Sequence, residues 1–142
     1  MRYLLDTCVL SEVIKSTPEE AVLRWLDEQE ENRLFLSVLV LGEIRKGIEK
    51  LPDSRRKREL HSWLHRDLQE RFAGRIWEIN EAVALTWGRL QGQAEAQGRK
   101  LPIMDGLLAA TALEQNAILV TRNVVDFEVE GLEVFNPWPV GS

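Results

Sequence analysis

Three acidic side chains occupy positions where an ionised carboxylate is expensive to keep. Asp6 ends a short apolar run near the start of the chain, and Glu43 borders the apolar face of a predicted helix. Asp105 is the one charge in the apolar segment from Ile103 to Leu113. Burying a carboxylate costs free energy unless a cation, a hydrogen-bond network or a raised pKa compensates. These positions therefore identify candidates for chemistry among the 23 acids of the chain.

Each of these acids also has an ordinary structural explanation. Asp6 and Asp105 are placed to cap the helices that begin beside them. Glu43 could pair with Arg45 or Lys46, or extend into solvent. A shared site is favoured because the three elements would all direct their acids toward the same strand ends, where open α/β sheets place their active sites.

The chemistry of such a site follows from its ligands. Oxygen donors without a cluster of His or Cys favour a hard cation, Mg²⁺ or Mn²⁺. An ion of this kind lowers the pKa of bound water and stabilises charge on a phosphate under attack. The residues therefore indicate metal-assisted hydrolysis of a phosphodiester.

Strands and helices alternate along the chain, and this order positions the acids. Apolar runs predict strands at 3–6, 34–36, 75–79, 117–121 and 132–135. Helices are predicted at 11–15, 38–51, 54–72, 81–97 and 103–113, and a further one begins after Thr17 with Pro18 at its first position. Thr17, Ser37 and Asn80 are the predicted caps of the helices that follow them. The alternation predicts an α/β domain with a central, mainly parallel sheet and helices on both faces.

Length and composition bound the possibilities. The 142 residues fit one domain, 1–142, and the net charge of −5 is not the basic balance of most nucleic-acid binders. An enzyme that collects carboxylates to hold cations is acidic for another reason, so the charge does not decide the partner. We expect no signal peptide, no membrane span and a cytoplasmic location, which suits the single cysteine, Cys8.

The acids and their neighbours together resemble the PIN-domain ribonucleases, in particular the VapC toxins of bacterial toxin–antitoxin pairs. The resemblance covers nearly the whole chain in the right order. It is carried by 4–7 (Leu-Leu-Asp-Thr), Glu43, the helix that begins Asp105-Gly106-Leu107-Leu108, and the run 121–127 with Thr-Arg-Asn and Asp-Phe. The ending 134–138, Val-Phe-Asn-Pro-Trp, is similar to the FitB-like branch. The resemblance implies a three-layer α/β/α PIN-like domain that acts as a metal-dependent endoribonuclease.

The resemblance also implies roles for single residues. Asp6 and Asp105 correspond to metal ligands, and Glu43 completes the acidic cluster. The fourth position falls on either Asn123 or Asp126.

Hydroxyl and basic side chains would surround these acids. Thr7 and Thr121 look like the residues that line the pocket. Arg122 is placed either to hold a substrate phosphate or to close its loop with a salt bridge. Cys8 stands where the family commonly has Asn, and we expect it to act as a small buried apolar residue.

The implied partners are an RNA substrate, an antitoxin protein that blocks the acidic pocket, and a second copy in a homodimer. A catalytically silent PIN-like domain with a binding or regulatory role is the alternative function.

Two further features have plainer explanations. The basic run 55–58 could contact RNA phosphates, but a solvated start of a helix explains it more simply. His61 and His65, spaced by one helical turn, could clamp a transition metal, although Trp63 and Leu64 between them serve the core. The tryptophans are expected in core or dimer packing rather than in base stacking.

Overall fold

A computed structural model describes residues 1–141. Its centre is a sheet of five short strands in the order β3-β2-β1-β4-β5. Every pair of neighbouring strands is parallel. The strands are β1 (Tyr3–Leu5), β2 (Leu34–Ser37), β3 (Ile76–Trp77), β4 (Ile118–Val120) and β5 (Val134–Phe135).

Helices connect the strands and flank the sheet, which confirms the expected α/β/α fold class. The α-helices are α1 (Thr7–Val13), α2 (Glu20–Glu28), α3 (Val38–Glu49), α4 (Arg55–Ser62), α5 (Gln69–Arg71), α6 (Glu81–Ala96) and α7 (Ile103–Glu114). Short 3₁₀ turns span Glu31–Arg33 and Val124–Phe127. No helix within residues 1–141 is long and apolar enough to cross a membrane.

The middle of the sheet brings distant parts of the chain together. β1 pairs with β2 on one side and with β4 on the other, with Leu4 opposite Leu119. Both leucines are fully buried, as strands covered on two faces should be. Because parallel strands end at the same edge, the residues after β1 and β4, Asp6 and Thr121, are neighbours.

Two predicted helix caps are confirmed. Ser37 Oγ accepts from the Leu39 N–H at 3.1 Å, and Asn80 Oδ1 accepts from the Val83 N–H at 3.0 Å. These side chains satisfy backbone donors that the first turn of a helix leaves unpaired.

The predicted starts of the first two helices are wrong. α1 begins at Thr7 rather than at 11, because the Asp6 side chain already caps it. α2 begins at Glu20 without a capping side chain, and Thr17 is not its cap. The chain before α2 is held instead by the buried Glu12, whose Oε1 accepts from the Glu19 N–H at 2.8 Å.

The predicted helix 54–72 contains a change of winding. α4 continues into a π-helical segment, Trp63–Leu68, and then into α5. Leu60, Leu64 and Leu68, four residues apart, are all buried. Side chains four residues apart lie on one face of a helix, so the apolar stripe continues from α4 through the π-helical segment.

Candidate acidic site at the sheet edge

Asp6 sits where β1 meets α1, and both of its oxygens are bonded. Oδ1 accepts from the Thr7 N–H at 2.7 Å, which is the capping bond of α1. Oδ2 accepts from Thr121 Oγ1 at 2.7 Å. Asp6 therefore caps α1, as the structural explanation expected. Its second oxygen links the end of β1 to the end of β4 through Thr121.

The pKa of Asp6 lies above its ordinary value. Burial raises the pKa, and the negative charge of Asp126 raises it further. The hydrogen bonds from Thr121, Thr7 and Cys8 work in the opposite direction without cancelling the burial. A nearby cation would therefore stabilise the ionised form of the Asp6 carboxyl.

Glu43 reaches the same site from α3. Its Oε1 accepts from Thr7 Oγ1 at 2.9 Å. Within residues 1–141 it forms no ion pair, and Arg45 pairs with Glu49 instead at 2.9 Å. The structure does not contain the expected alternative of a pair between Glu43 and Arg45.

Asp105 lies half-buried in the first turn of α7. The N-cap of that helix is Pro102, and no side chain caps it, so the capping explanation for Asp105 is wrong. Burial raises the pKa of Asp105 to about 6, helped by the charges of Asp126, Asp6 and Glu43. Four carboxylates therefore act on one another at this edge.

Asp126 and Asn123 belong to the exposed loop after β4. Asp126 lies in the 3₁₀ turn, and its charge raises the pKa of both Asp6 and Asp105. Asn123 contributes its backbone N–H, which donates to Thr121 Oγ1 at 3.1 Å. Asp126 acts on the acids through its charge, and Asn123 anchors the loop to Thr121.

Cys8 belongs to the site as well as to the core. It packs against the buried cluster, as expected of a small apolar residue. Its Sγ also lies 3.9 Å from Asp6 Oδ2 and 3.6 Å from Thr121 Oγ1. Burial raises the pKa of the Cys8 thiol, and the Asp6 charge raises it further.

Arg122 is exposed, and its guanidinium carbon lies 5.6 Å from the centre of the Trp138 ring. The expected alternative of a salt bridge is not seen among residues 1–141. The buried Glu12 pairs with Lys15 instead, at 2.9 Å.

The packing that holds the first turn of α7 was not predicted. Gln91 Nε2 donates to the Leu101 carbonyl at 3.0 Å, just before α7 begins. A side chain at Gly106 would place its Cβ 3.1 Å from Trp87 Cδ1. The glycine beside Asp105 signals a close approach in the sequence, and the partner is the Trp87 ring of α6.

The basic run 55–58 is largely engaged within the molecule. Arg55 pairs with Glu59 at 3.0 Å, and Arg56 donates to the Ile14 carbonyl at 2.8 Å. Lys57 Nζ donates to the Leu51 carbonyl at 3.0 Å. These contacts favour a structural role over RNA binding.

His61 and His65 stack with ring centres 5.9 Å apart. His61 Nε2 lies 3.4 Å from Glu49 Oε1, and Arg45 lies 3.3 Å from His65 Nε2. The positive charge of Arg45 beside His65 disfavours a cation site at this pair.

Trp77 packs against the core, as expected of the tryptophans, and its ring stacks on Phe35 with ring centres 4.2 Å apart.

The acidic site offers the oxygen ligands that a hard cation prefers. Burial raises the pKa of Asp6 and Asp105, and repulsion between the carboxylates raises it further. In the described chain no three His, Cys, Asp or Glu side chains stand in an arrangement that would enclose one ion. The fit is therefore to an ion held by one or two carboxylates together with water and substrate oxygens, which is common for Mg²⁺.

Comparison with known proteins gives the same family as the sequence pattern. The model of the PIN domain matches residues 3–128. Toxin FitB of Neisseria gonorrhoeae is 35% identical over 135 residues, 95% of this chain and 97% of FitB. VapC ribonuclease Y4jK of Sinorhizobium fredii is 33% identical over 135 residues, 95% of this chain and 96% of that protein.

Solved structures of relatives share the fold. FitAcB from Neisseria gonorrhoeae superposes with a TM-score of 0.89 at 34% identity, covering 96% of this chain and 98% of that one. VapBC2 from Rickettsia felis, bound to a DNA fragment from its promoter, gives 0.77 at 26% identity, covering 98% and 100%. The chain therefore belongs to the PIN-domain family, in the group that contains the FitB and VapC toxins.

Proposed function

We propose that the chain is a metal-dependent endoribonuclease and the toxin of a VapBC-like toxin–antitoxin pair. The observation that carries the proposal is the meeting of Asp6, Glu43, Asp105 and Asp126 at one sheet edge, where burial and the charges of the other three acids raise the pKa of Asp105 to about 6. Relatives named as VapC ribonucleases support RNA as the substrate.

In this proposal Asp6 and Asp105 hold Mg²⁺ or Mn²⁺. The bound ion supplies a more acidic water and neutralises charge on the attacked phosphate. Thr7 and Thr121 keep Asp6 in place through bonds of 2.7 Å to its two oxygens. The ion is thus held by an aspartate whose orientation is fixed from both sides.

Glu43 is placed to handle a proton. Thr7 Oγ1 bonds to its Oε1, so Oε2 is available to accept a proton from the attacking water. Asp126, in the exposed loop, adds negative charge on the open side of the site. That charge favours binding of the ion and of a positively charged surface on a partner protein.

An antitoxin is the expected protein partner, and a homodimer is the expected assembly. Solved relatives include FitAcB and VapBC complexes. A groove of about 210 Å³ begins at Thr7 and Glu43, and its other walls are largely apolar. We propose that the antitoxin covers this groove and so reaches the acidic site; the walls include Ile44, Ile48, Leu51, Leu60 and Trp63.

The test is cleavage of labelled single-stranded RNAs of varied sequence by the purified protein. Cleavage is expected with Mg²⁺ or Mn²⁺, and not with EDTA. Asp6→Asn should abolish it, because the neutral side chain holds a cation weakly. Asp27→Asn, an identical change at an exposed site of α2, is the control and should cleave like wild type.

If wild type cleaves none of these RNAs and Asp6→Asn is indistinguishable from it, the proposed enzyme is wrong. A catalytically silent PIN-like domain would then be the better description.

A further inference from the structure

The loop after β4 fixes the base of Arg122 at the acidic site. Thr121 Oγ1 donates to Asp6 and accepts the Asn123 N–H at 3.1 Å. Two neighbours of Arg122 are thus anchored to the residues that surround Asp6.

The end of β5 supplies the surface over which the Arg122 side chain lies. Trp138 is only 7% exposed, and its backbone N–H donates to Asn136 Oδ1 at 2.9 Å. Because β5 is parallel to β4, this segment leaves the sheet at the same edge as Thr121. The guanidinium carbon is 5.6 Å from the Trp138 ring centre, within the range of a cation–π contact.

The hydrogen-bond donors of this guanidinium are not used by an acid in the described chain. The buried Glu12 forms its ion pair with Lys15, and the Arg122 charge lowers the pKa of Glu12 less than Lys15 does. An exposed guanidinium that lies over an aromatic ring and bonds to no acid has its N–H edge free for another acceptor. That edge presents paired N–H groups, the geometry that binds a phosphate with two hydrogen bonds.

An acidic site that cuts RNA has an electrostatic difficulty, because its carboxylates repel the substrate backbone. A fixed positive charge at the rim would offset that repulsion. We propose that Arg122, held over Trp138, binds a backbone phosphate of the RNA beside the one that is cleaved. This inference rests on the proposed function, and it makes Trp138 a positioning residue from outside the PIN match at 3–128.

The test measures RNA binding rather than cleavage. Affinity of a fluorescein-labelled single-stranded RNA is followed by anisotropy in EDTA over a series of salt concentrations. Arg122→Gln should weaken binding roughly tenfold at low salt, as loss of a charged hydrogen bond does. It should also reduce the slope of log affinity against log salt by about 0.7 to 1, the value for one phosphate contact.

Further variants separate charge from positioning. Arg122→Lys should keep the salt slope but lose part of the affinity, since an ammonium cannot stack on a ring or form a bidentate pair with a phosphate. Trp138→Phe retains a ring and should bind nearly as well as wild type. Trp138→Leu should weaken binding, and adding it to Arg122→Gln should cause little further loss, because the two residues act as one unit.

Arg66→Gln is the matched control, since Arg66 is exposed on the π-helical segment and has no ion pair in the part of the chain described. Thermal unfolding of each variant identifies any that fail to fold. A salt slope for Arg122→Gln equal to that of wild type overturns the inference, and so does an RNA affinity of wild type too weak to measure.

The outcomes also separate this inference from the proposed function. If wild type binds RNA with the expected slope change in Arg122→Gln but cleaves nothing, the phosphate site stands and the nuclease fails. If wild type cleaves RNA and Arg122→Gln binds and cleaves like it, the phosphate site fails alone.

Discussion

Thr121 Oγ1 and Asp6 Oδ2 are joined by a 2.7 Å hydrogen bond that spans 115 residues of sequence. Thr121 is fully buried and Asp6 is nearly so. The bond connects the ends of two neighbouring parallel strands, and it is the largest of the contacts that lower the pKa of Asp6. A neutral hydroxyl and a backbone N–H therefore fix the orientation of the Asp6 carboxylate.

Thr121→Val tests this bond with almost no change in shape. It removes a donor to Asp6 and the acceptor of the Asn123 N–H, so the pKa of Asp6 should rise further and RNA cleavage should fall. A buried group left without its partner costs about 1–3 kcal/mol, which thermal or urea unfolding will show. Thr111→Val is the control, because buried Thr111 bonds only within α7, to the Leu107 carbonyl. Equal activity of the two variants would contradict the role of the bond.

Asp105 should make the metal-free protein less stable as pH rises. Its folded-state pKa of about 6 exceeds the ordinary 3.8, so the folded state binds more protons between these values. Stability therefore falls as pH rises through this window and stays lower above it. Asp105→Asn should melt at a higher temperature than wild type near pH 8 in EDTA, and the difference should vanish near pH 4. Asp27→Asn should follow wild type, and a pH-independent difference for Asp105→Asn would contradict the assignment.

Divalent ions should reverse that loss. Mg²⁺ or Mn²⁺ must displace the proton of Asp105, so the rise in melting temperature that they cause should grow as pH increases through about 6. Binding to the folded state alone stabilises it by mass action. Asp6→Asn and Asp105→Asn should each abolish most of the shift. An undiminished shift in both variants would place the ion elsewhere.

Gly106→Ala tests the contact that holds the first turn of α7. The new Cβ would lie 3.1 Å from Trp87 Cδ1 and 3.4 Å from Gln91 Oε1, so the Trp87 ring or the first turn of α7 must shift by a few tenths of an ångström. The expected destabilisation is about 1–3 kcal/mol, with slower RNA cleavage because Asp105 is adjacent. Gly92→Ala has open space and should instead stabilise α6 by about 0.5–1 kcal/mol. Comparable unfolding temperatures for the two variants would contradict the close contact.

Leu51→Lys tests the groove as the antitoxin surface. Leu51 lines the groove and is 36% exposed, so a lysine there should be tolerated by the fold but should disrupt an apolar interface. Calorimetry with the antitoxin partner that we propose should show affinity reduced at least tenfold, with RNA cleavage intact. Leu85→Lys, at an exposed apolar site of α6, is the control and should bind the antitoxin normally. Equal affinities would place the antitoxin on another surface.

The sequence was sufficient for the fold class because its signals are local. Leu4 and Leu119 lie in short apolar runs, and the helices between them have caps such as Ser37 that can be recognised one segment at a time. The predicted start of α1 was too late for a physical reason: residues 7–10 are largely apolar and continue the pattern of β1, so only the Asp6 cap marks where the strand becomes a helix.

The contacts within the site could not be predicted in this way. Nothing near Glu43 indicates that its partner is Thr7, 36 residues earlier, rather than Arg45, two positions later. The stacking of Arg122 on Trp138 likewise depends on β5 lying beside β4. Such pairs follow from the order of strands, and a pattern of apolar residues does not specify that order.

The central place of β1 has a consequence for how the protein is made. β1 is synthesised first, yet one of its two neighbours, β4, begins at Ile118. During synthesis, Thr121 and the loop with Asp126 can therefore contact Asp6 only after nearly the whole chain has been made. Contacts so distant in sequence also form slowly. A nascent or truncated chain has no assembled acidic site, so a cell that makes this protein has the full time of its synthesis and folding in which to supply an inhibitor.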